Sequence, residues 1–332
     1  MVMGSSDMHP PKKPGRWANW LLLGGLLAFV IVGLMGLAAA TGWEETWTQL
    51  RKLTIAQVVI LLVLSLVNYL FRSLRWHLFA RQLGLPTTLL QDTRHFLGGF
   101  AMTVTPGRVG ELIRMRWLRR ETGWAFERTA PLVLVDRAAD LAAMALLLGF
   151  ALAFASMGIA YAFPVALLAF AAAVIVTRPK LLSACVTLGW KLTGFAPRLW
   201  GRIRMAARSL RAFSQASLIA PVGVLSLAGW LAEGYALYLL LDWMGATIPF
   251  WSAVAIFVFS TLAGGLTGAP GGLGGAEAAM IALLKLHGVA LEVSIPATAV
   301  IRLTTLWFAI VIGLAVFPVA ERLSLIARKG ST

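Results

Sequence analysis

The 332-residue chain has little charge and almost no cysteine. Asp, Glu, Lys and Arg make up 13% of it, about half the share usual in a soluble globular chain. Acidic residues are scarcest: 14 stand against 29 Lys and Arg, for a formal net charge of +15. The single cysteine, Cys185, excludes an intrachain disulfide framework and a multi-cysteine metal site. Four scattered histidines (His9, His77, His95, His287) show no HExxH-like ligand spacing. A Walker A loop and a complete GxGxxG are also missing. Soluble metalloenzymes, NTPases and dehydrogenases are thereby set aside, and no metal, cofactor or catalytic residue is expected.

Apolar residues fill the space that charge vacates: 59% of the chain is hydrophobic and mean hydropathy is +0.81. About 20 apolar residues cross the hydrocarbon core as a helix, and Leu21 to Ala40 does so without a charge. Lys12, Lys13 and Arg16 precede it, and Trp17, Trp20, Trp43 and Trp47 suit interfacial anchoring. A cleaved leader ending near Ala38-Ala39-Ala40 is the alternative, although the apolar run exceeds the usual leader core. Further spans are expected at about Ile55–Phe71, Leu132–Met157, Gly158–Thr177, Leu218–Leu241 and Ile295–Val319. Arg72 and Arg75 are read as reaching the inner interface from the end of the second span.

Two apolar stretches are broken: Phe96–Val104 runs into the first break, and Phe250–Leu266 and Leu273–Leu286 flank the second. The first contains Thr105-Pro106-Gly107-Arg108-Val109-Gly110-Glu111. The second contains Pro270-Gly271-Gly272-Leu273-Gly274-Gly275-Ala276-Glu277. Each has a Pro-Gly break, further glycine and a Glu, and an arginine (Arg137, Arg302) follows the proline by 31 or 32 residues inside an apolar run. Unpaired backbone cannot face lipid, so such breaks require surrounding protein or water. Lys and Arg concentrate at the N-terminus, after the second span, in 178–211 and at the C-terminus, which places all four inside. That bookkeeping closes only if both broken stretches return to the side they came from, in opposite senses, as in an inverted repeat. Two plain glycine-rich loops are the simpler alternative.

The expected organisation is a cytoplasmic tail 1–16, one polytopic membrane domain 17–320 and a second tail 321–332. Within the domain, repeat halves at about 55–177 and 215–320 are joined by a basic amphipathic loop, 178–212. Between Asp140 and Glu233 the chain has no Asp or Glu, which suits that loop to anionic headgroups rather than nucleic acid.

Charges inside apolar spans mark a pathway or a pair. Asp136 and Asp140 share a helical face, while Arg137 points towards Glu111 or Glu277. One reading makes these structural ion pairs. The other has Arg108, Arg137 and Arg302 contacting a lipid phosphate at helix N-termini, with Glu111, Asp136, Asp140 and Glu277 as partners or proton sites. Glu233 is either a proton site or hydrogen-bonded to a neighbouring helix. The binding set on this reading is Thr105, Pro106, Gly107, Arg108, Gly110, Glu111, Asp136, Arg137, Asp140, Glu233, Pro270, Gly271, Gly272, Gly274, Glu277 and Arg302.

Thr105–Glu111, Asp136-Arg137-Ala-Ala-Asp140, and Gly268–Glu277 followed by Arg302-Leu-Thr-Thr-Leu-Trp307 resemble the lysylphosphatidylglycerol synthase transmembrane-region family, also described as flippase-like. The resemblance covers about residues 15–320. It implies an all-α integral membrane protein with about six spans and two re-entrant helical hairpins in an inverted repeat. It also implies movement of an anionic phosphate lipid, phospholipid or polyprenyl phosphate, across a bacterial inner membrane. The soluble aminoacyl-transferring half of the two-part synthases is expected to be absent, because the chain ends at Thr332 shortly after its last span. A membrane-embedded lipid-modifying enzyme and a non-transporting partner of one are the alternatives. A second copy or a lipid-biosynthesis enzyme are the protein partners left open.

Overall fold

The computed structural model describes residues 43–105, 109–154, 178–193 and 210–330, with the single positions Ala28 and Ala171. The spans at 21–40 and 158–177, the loop residues 194–209, both outermost tails and Pro106, Gly107 and Arg108 lie outside the described residues. The described residues are helical throughout their regular elements, without a strand. In order they form α1 (Trp43–Arg51), α2 (Ile55–Gln82), α3 (Leu89–Gly99), α4 (Val109–Thr122), α5 (Phe126–Phe154), α6 (Pro179–Thr193), α7 (Ala216–Trp243), α8 (Phe250–Leu266), α9 (Gly275–Leu286), α10 (Leu291–Arg302) and α11 (Phe308–Gly330). The chain is an all-α membrane protein: Ile55–Gln82, Ala216–Trp243 and Leu291–Ala327 are each long and apolar enough to cross a bilayer.

Local sequence sets these boundaries. Thr54 caps α2 by accepting from the Gln57 backbone N–H at 3.3 Å, while the Gln57 side chain accepts from the Thr54 N–H at 2.8 Å. Thr88 and Gln91 repeat that reciprocal pair at the start of α3. α2 ends at Gly84 and α7 ends at Gly245, both with positive φ (79° and 83°), which only glycine adopts cheaply. The closing bonds also match: Leu85 N–H donates to Ala80 O at 3.0 Å, and Ala246 N–H to Leu241 O at 2.8 Å.

These matched ends expose a repeat. In each half a long helix (α2, α7) is followed by a helix–break–helix hairpin (α3–α4, α8–α9) and then another long helix. The long helices after each hairpin carry a proline in corresponding early turns, Pro131 and Pro296. The halves interlock, with α3 and α4 of the first hairpin packing on α11, and α8 of the second packing on α5. Between them α2 and α7 form the most extensive helix pair.

Several boundaries differ from the sequence reading. α2 runs through to Gln82 instead of stopping near Phe71, so Arg72 and Arg75 sit inside a helix. Neither reaches outward: Arg75 is 0% exposed and Arg72 is folded into the same interior, because both find carboxylates on α5. The last apolar helix starts at Leu291 and passes through a π turn, Leu303–Trp307, before continuing as α11. Phe250–Leu266 matches its expected bounds.

Candidate functional site

Asp136 and Asp140 are one helical turn apart on α5, and Arg72 and Arg75 occupy the facing turn of α2. Arg75 Nε donates to Asp136 Oδ1 at 3.1 Å, and its Nη2 donates to the same oxygen. Its Nη1 lies 2.9 Å from Asp140 Oδ1 and donates to Ser226 Oγ on α7, also at 2.9 Å. Arg72 Nη2 meets Asp140 Oδ2 at 2.7 Å, while Trp230 Nε1 on α7 donates to Asp140 Oδ1 at 3.2 Å. Arg137 closes the network, 2.9 Å from Asp136 Oδ2, 3.3 Å from Asp140 Oδ2 and 3.4 Å from Glu111 Oε1 on α4. Arg137 therefore turns to Glu111 rather than Glu277.

Three arginines and three carboxylates thus tie α2, α4, α5 and α7 together. Every buried charge here has a counter-charge, as an apolar setting demands. Arg137 is the open edge: 31% of its side chain remains exposed, against 0% for Arg75.

A second network holds the other hairpin. Arg302 Nε donates to Glu277 Oε1 at 2.6 Å, and its Nη2 donates to the Gly271 carbonyl at 2.9 Å. The latter bond fixes the break itself, where Gly271 (φ 66°), Gly272 (φ 69°) and Gly274 (φ 80°) all take left-handed conformations after Pro270. Arg302 also ends α10 just before the π turn, a deviation frequent at functional sites. Tyr69 of α2 donates its hydroxyl to the Thr305 carbonyl within that turn.

The first hairpin reaches the second break through Val104. A Cβ on Gly271 would come within 3.0 Å of Val104 Cγ1 from the first hairpin. Val104, Leu273, Trp307 and Ile310 then form a small buried cluster around the contact. In the first hairpin α4 crosses the end of α3 at Gly110, where a Cβ would collide with the Gly99 carbonyl. Thr105 is buried and turns its hydroxyl back to Met102 O at 2.6 Å.

The structure divides the sequence-derived set between these networks. Glu111, Asp136, Arg137 and Asp140 belong to the first, and Gly271, Glu277 and Arg302 to the second. Glu233 joins neither by an ion pair; it is 4% exposed and lies beside Asn68. Sequence reasoning missed Arg72 and Arg75 as members, although two arginines three residues apart in an apolar run were the available signal. It also missed Ser226, Trp230, Tyr69 and Arg114, none of which has a local signature.

At its far end the first hairpin is latched by polar contacts. Asp92 of α3 accepts from Thr87 at 2.9 Å and lies 2.6 Å from His77 Nδ1. Glu121 of α4 meets Arg94 at 2.6 Å and His95 at 3.2 Å. Burial pushes the Glu121 carboxyl up, but His95 and Arg94 outweigh it and hold it below the ordinary carboxylate range. Glu321 of α11 takes Arg116, Trp117 and Arg120 at 2.6 to 2.8 Å.

Two helical hairpins in contact through Val104 and Gly271, flanked by buried arginine–carboxylate networks, define a polytopic membrane protein with a repeated helix order. The family model of the lysylphosphatidylglycerol synthase transmembrane region matches residues 21–313, and the chain belongs to that family. It is also 26% identical over 322 residues to a UPF0104 membrane protein of Methanothermobacter thermautotrophicus, covering 87% of this chain and 94% of that one. A second match of the same description and organism is 30% identical over 116 residues, 35% of each chain.

Proposed function

We propose that the protein moves an anionic phosphate lipid between bilayer leaflets, binding and releasing it without covalent chemistry. The observation that carries this reading is the meeting of two discontinuous helical hairpins between buried arginine networks. Discontinuous helices at membrane depth form transporter binding sites, because broken backbone is tolerated there only against protein or a watery cavity. On this reading the phosphate docks at the exposed edge of Arg137, near the N-terminus of α4, while the acyl or prenyl tails stay in lipid. Both termini face the cytoplasm, and the 178–212 segment lies on the anionic inner surface. Re-entry of the hairpins from opposite faces gives the site access to either leaflet in turn.

The test is lipid exchange in proteoliposomes carrying fluorescent phospholipid or polyprenyl phosphate, with headgroup accessibility read by quencher addition. Wild-type protein accelerates exchange of an anionic lipid at least tenfold over protein-free vesicles. Arg302→Ala and Arg108→Ala abolish that acceleration while retaining wild-type elution on gel filtration. Absence of exchange for every lipid, with and without a proton gradient, refutes the proposal.

A further inference from the structure

Within the described residues, Arg114 is a buried cation without a counter-anion. It sits on α4, 4% exposed, one turn beyond Glu111. No carboxylate lies within ion-pair distance, and its Nε and Nη1 have no hydrogen-bond partner. What surrounds it is aromatic. The guanidinium carbon lies 4.1 Å from the Phe96 ring centroid, 5.5 Å from Trp76 and 5.8 Å from Phe100. Gly99 makes room for the stem, since a Cβ there would lie 3.1 Å from Arg114 Cγ and 3.2 Å from Cδ.

Ring faces attract a cation but accept none of its directed N–H bonds as an anion would. Arginine cannot escape by losing its proton. The charges on the neighbouring network are already matched: Arg137 pairs with Glu111 and Asp136, and Arg72 with Asp140. One positive charge is therefore left over beside Gly99 in the first hairpin, one turn along α4 from the Glu111 that pairs with Arg137.

We propose that Arg114 is an anion-binding residue and that its missing partner is a singly charged phosphate oxygen, as in a phosphodiester headgroup. This rests on the anionic-lipid part of the reading above and adds a residue and a charge state to it. The aromatic cage holds the guanidinium in place while the site is empty. Arriving phosphate then takes the free donors, and Phe96 and Trp76 exclude water around the new pair. The match is one charge to one charge, so a phosphodiester without a cation of its own binds, and one offset by its own ammonium, as in phosphatidylcholine, binds worse.

The experiment is native mass spectrometry of purified protein titrated with phosphatidylglycerol or phosphatidylcholine. Arg114→Met keeps the length and the contacts with the rings but removes the charge. It lowers phosphatidylglycerol affinity at least tenfold and leaves phosphatidylcholine binding unchanged. Arg114→Lys keeps charge without the planar fork and lowers affinity at least threefold. Wild-type phosphatidylglycerol affinity in Arg114→Met overturns the proposal. If that variant fails to fold, less than a threefold loss in Arg114→Lys overturns it instead. Displacement of the lipid by free dimethyl phosphate assigns the site to phosphate alone; resistance to displacement assigns it to phosphate presented from a bilayer. Arg114-dependent binding without leaflet exchange keeps this inference and removes the translocase. Leaflet exchange with Arg114-independent binding does the reverse.

Discussion

Replacing Arg75 by alanine is the sharpest test of how the helices are held together. The side chain is fully buried and reaches Asp136, Asp140 and Ser226. Its loss strands part of two carboxylates: Asp140 keeps Arg72, Arg137 and Trp230, and Asp136 keeps only Arg137. Breaking a buried pair from one side costs about 3–5 kcal/mol, more than the intact pair contributes, because an uncompensated charge stays behind. Arg75→Ala is therefore expected to lower the free energy of unfolding by about 3–5 kcal/mol in a reversible detergent titration. In Arg75→Ala/Asp136→Ala both charges leave together, so a double-mutant cycle returns a coupling energy of at least about 1.5 kcal/mol. A single-mutant cost below about 1 kcal/mol, or a coupling of zero within about 0.5 kcal/mol, refutes the view that this network is the joint between α2, α5 and α7.

Gly110→Ala places a Cβ against the Gly99 carbonyl and pushes the two helices of the first hairpin apart. A cost of about 1–3 kcal/mol is expected, with faster amide exchange confined to α3 and α4; unchanged exchange there would show that the crossing tolerates a methyl group. Glu121 is held below its ordinary value of about 4.5, so its contribution is complete above that pH and fades as acid protonates the folded form. Glu121→Gln lowers stability at pH 7 and flattens the acid side of the stability profile, read by thermal unfolding between pH 7 and pH 3; a profile parallel to wild type contradicts the latch.

The long described helices and the second break were legible because each depends on neighbours in sequence. Phe250–Leu266 is a continuous apolar run ended by glycine, and its observed bounds are those expected. Arg302 with Glu277 was also within reach, since a lone arginine and a lone glutamate in adjoining apolar segments have few other partners. Arg72 and Arg75 were misplaced because an arginine near the end of an apolar run reads alike whether it points to the interface or inward. What decides it is Asp136 and Asp140 on another helix. Arg114 was hidden among Arg116, Arg119 and Arg120, since composition carries no record of which member of a basic stretch faces a cage of rings. The π turn at Leu303–Trp307 is equally silent: its residues suit an ordinary helix, and Tyr69 meets Thr305 across 236 positions of chain.

The exchange of hairpins between halves limits how this molecule can move and how it can be dissected. Because α3 and α4 lean on α11 while α8 leans on α5, each half is clasped by the other, like two hands with fingers interlaced. A tilt of one hairpin therefore presses on a long helix of the opposite half. Severed at the linker, either half would keep its hairpin's packing on its own long helices and lose that on α11 or α5. Two copies of one half could restore the lost contacts by trading hairpins, the arrangement that a duplicated ancestral unit would have adopted as a dimer.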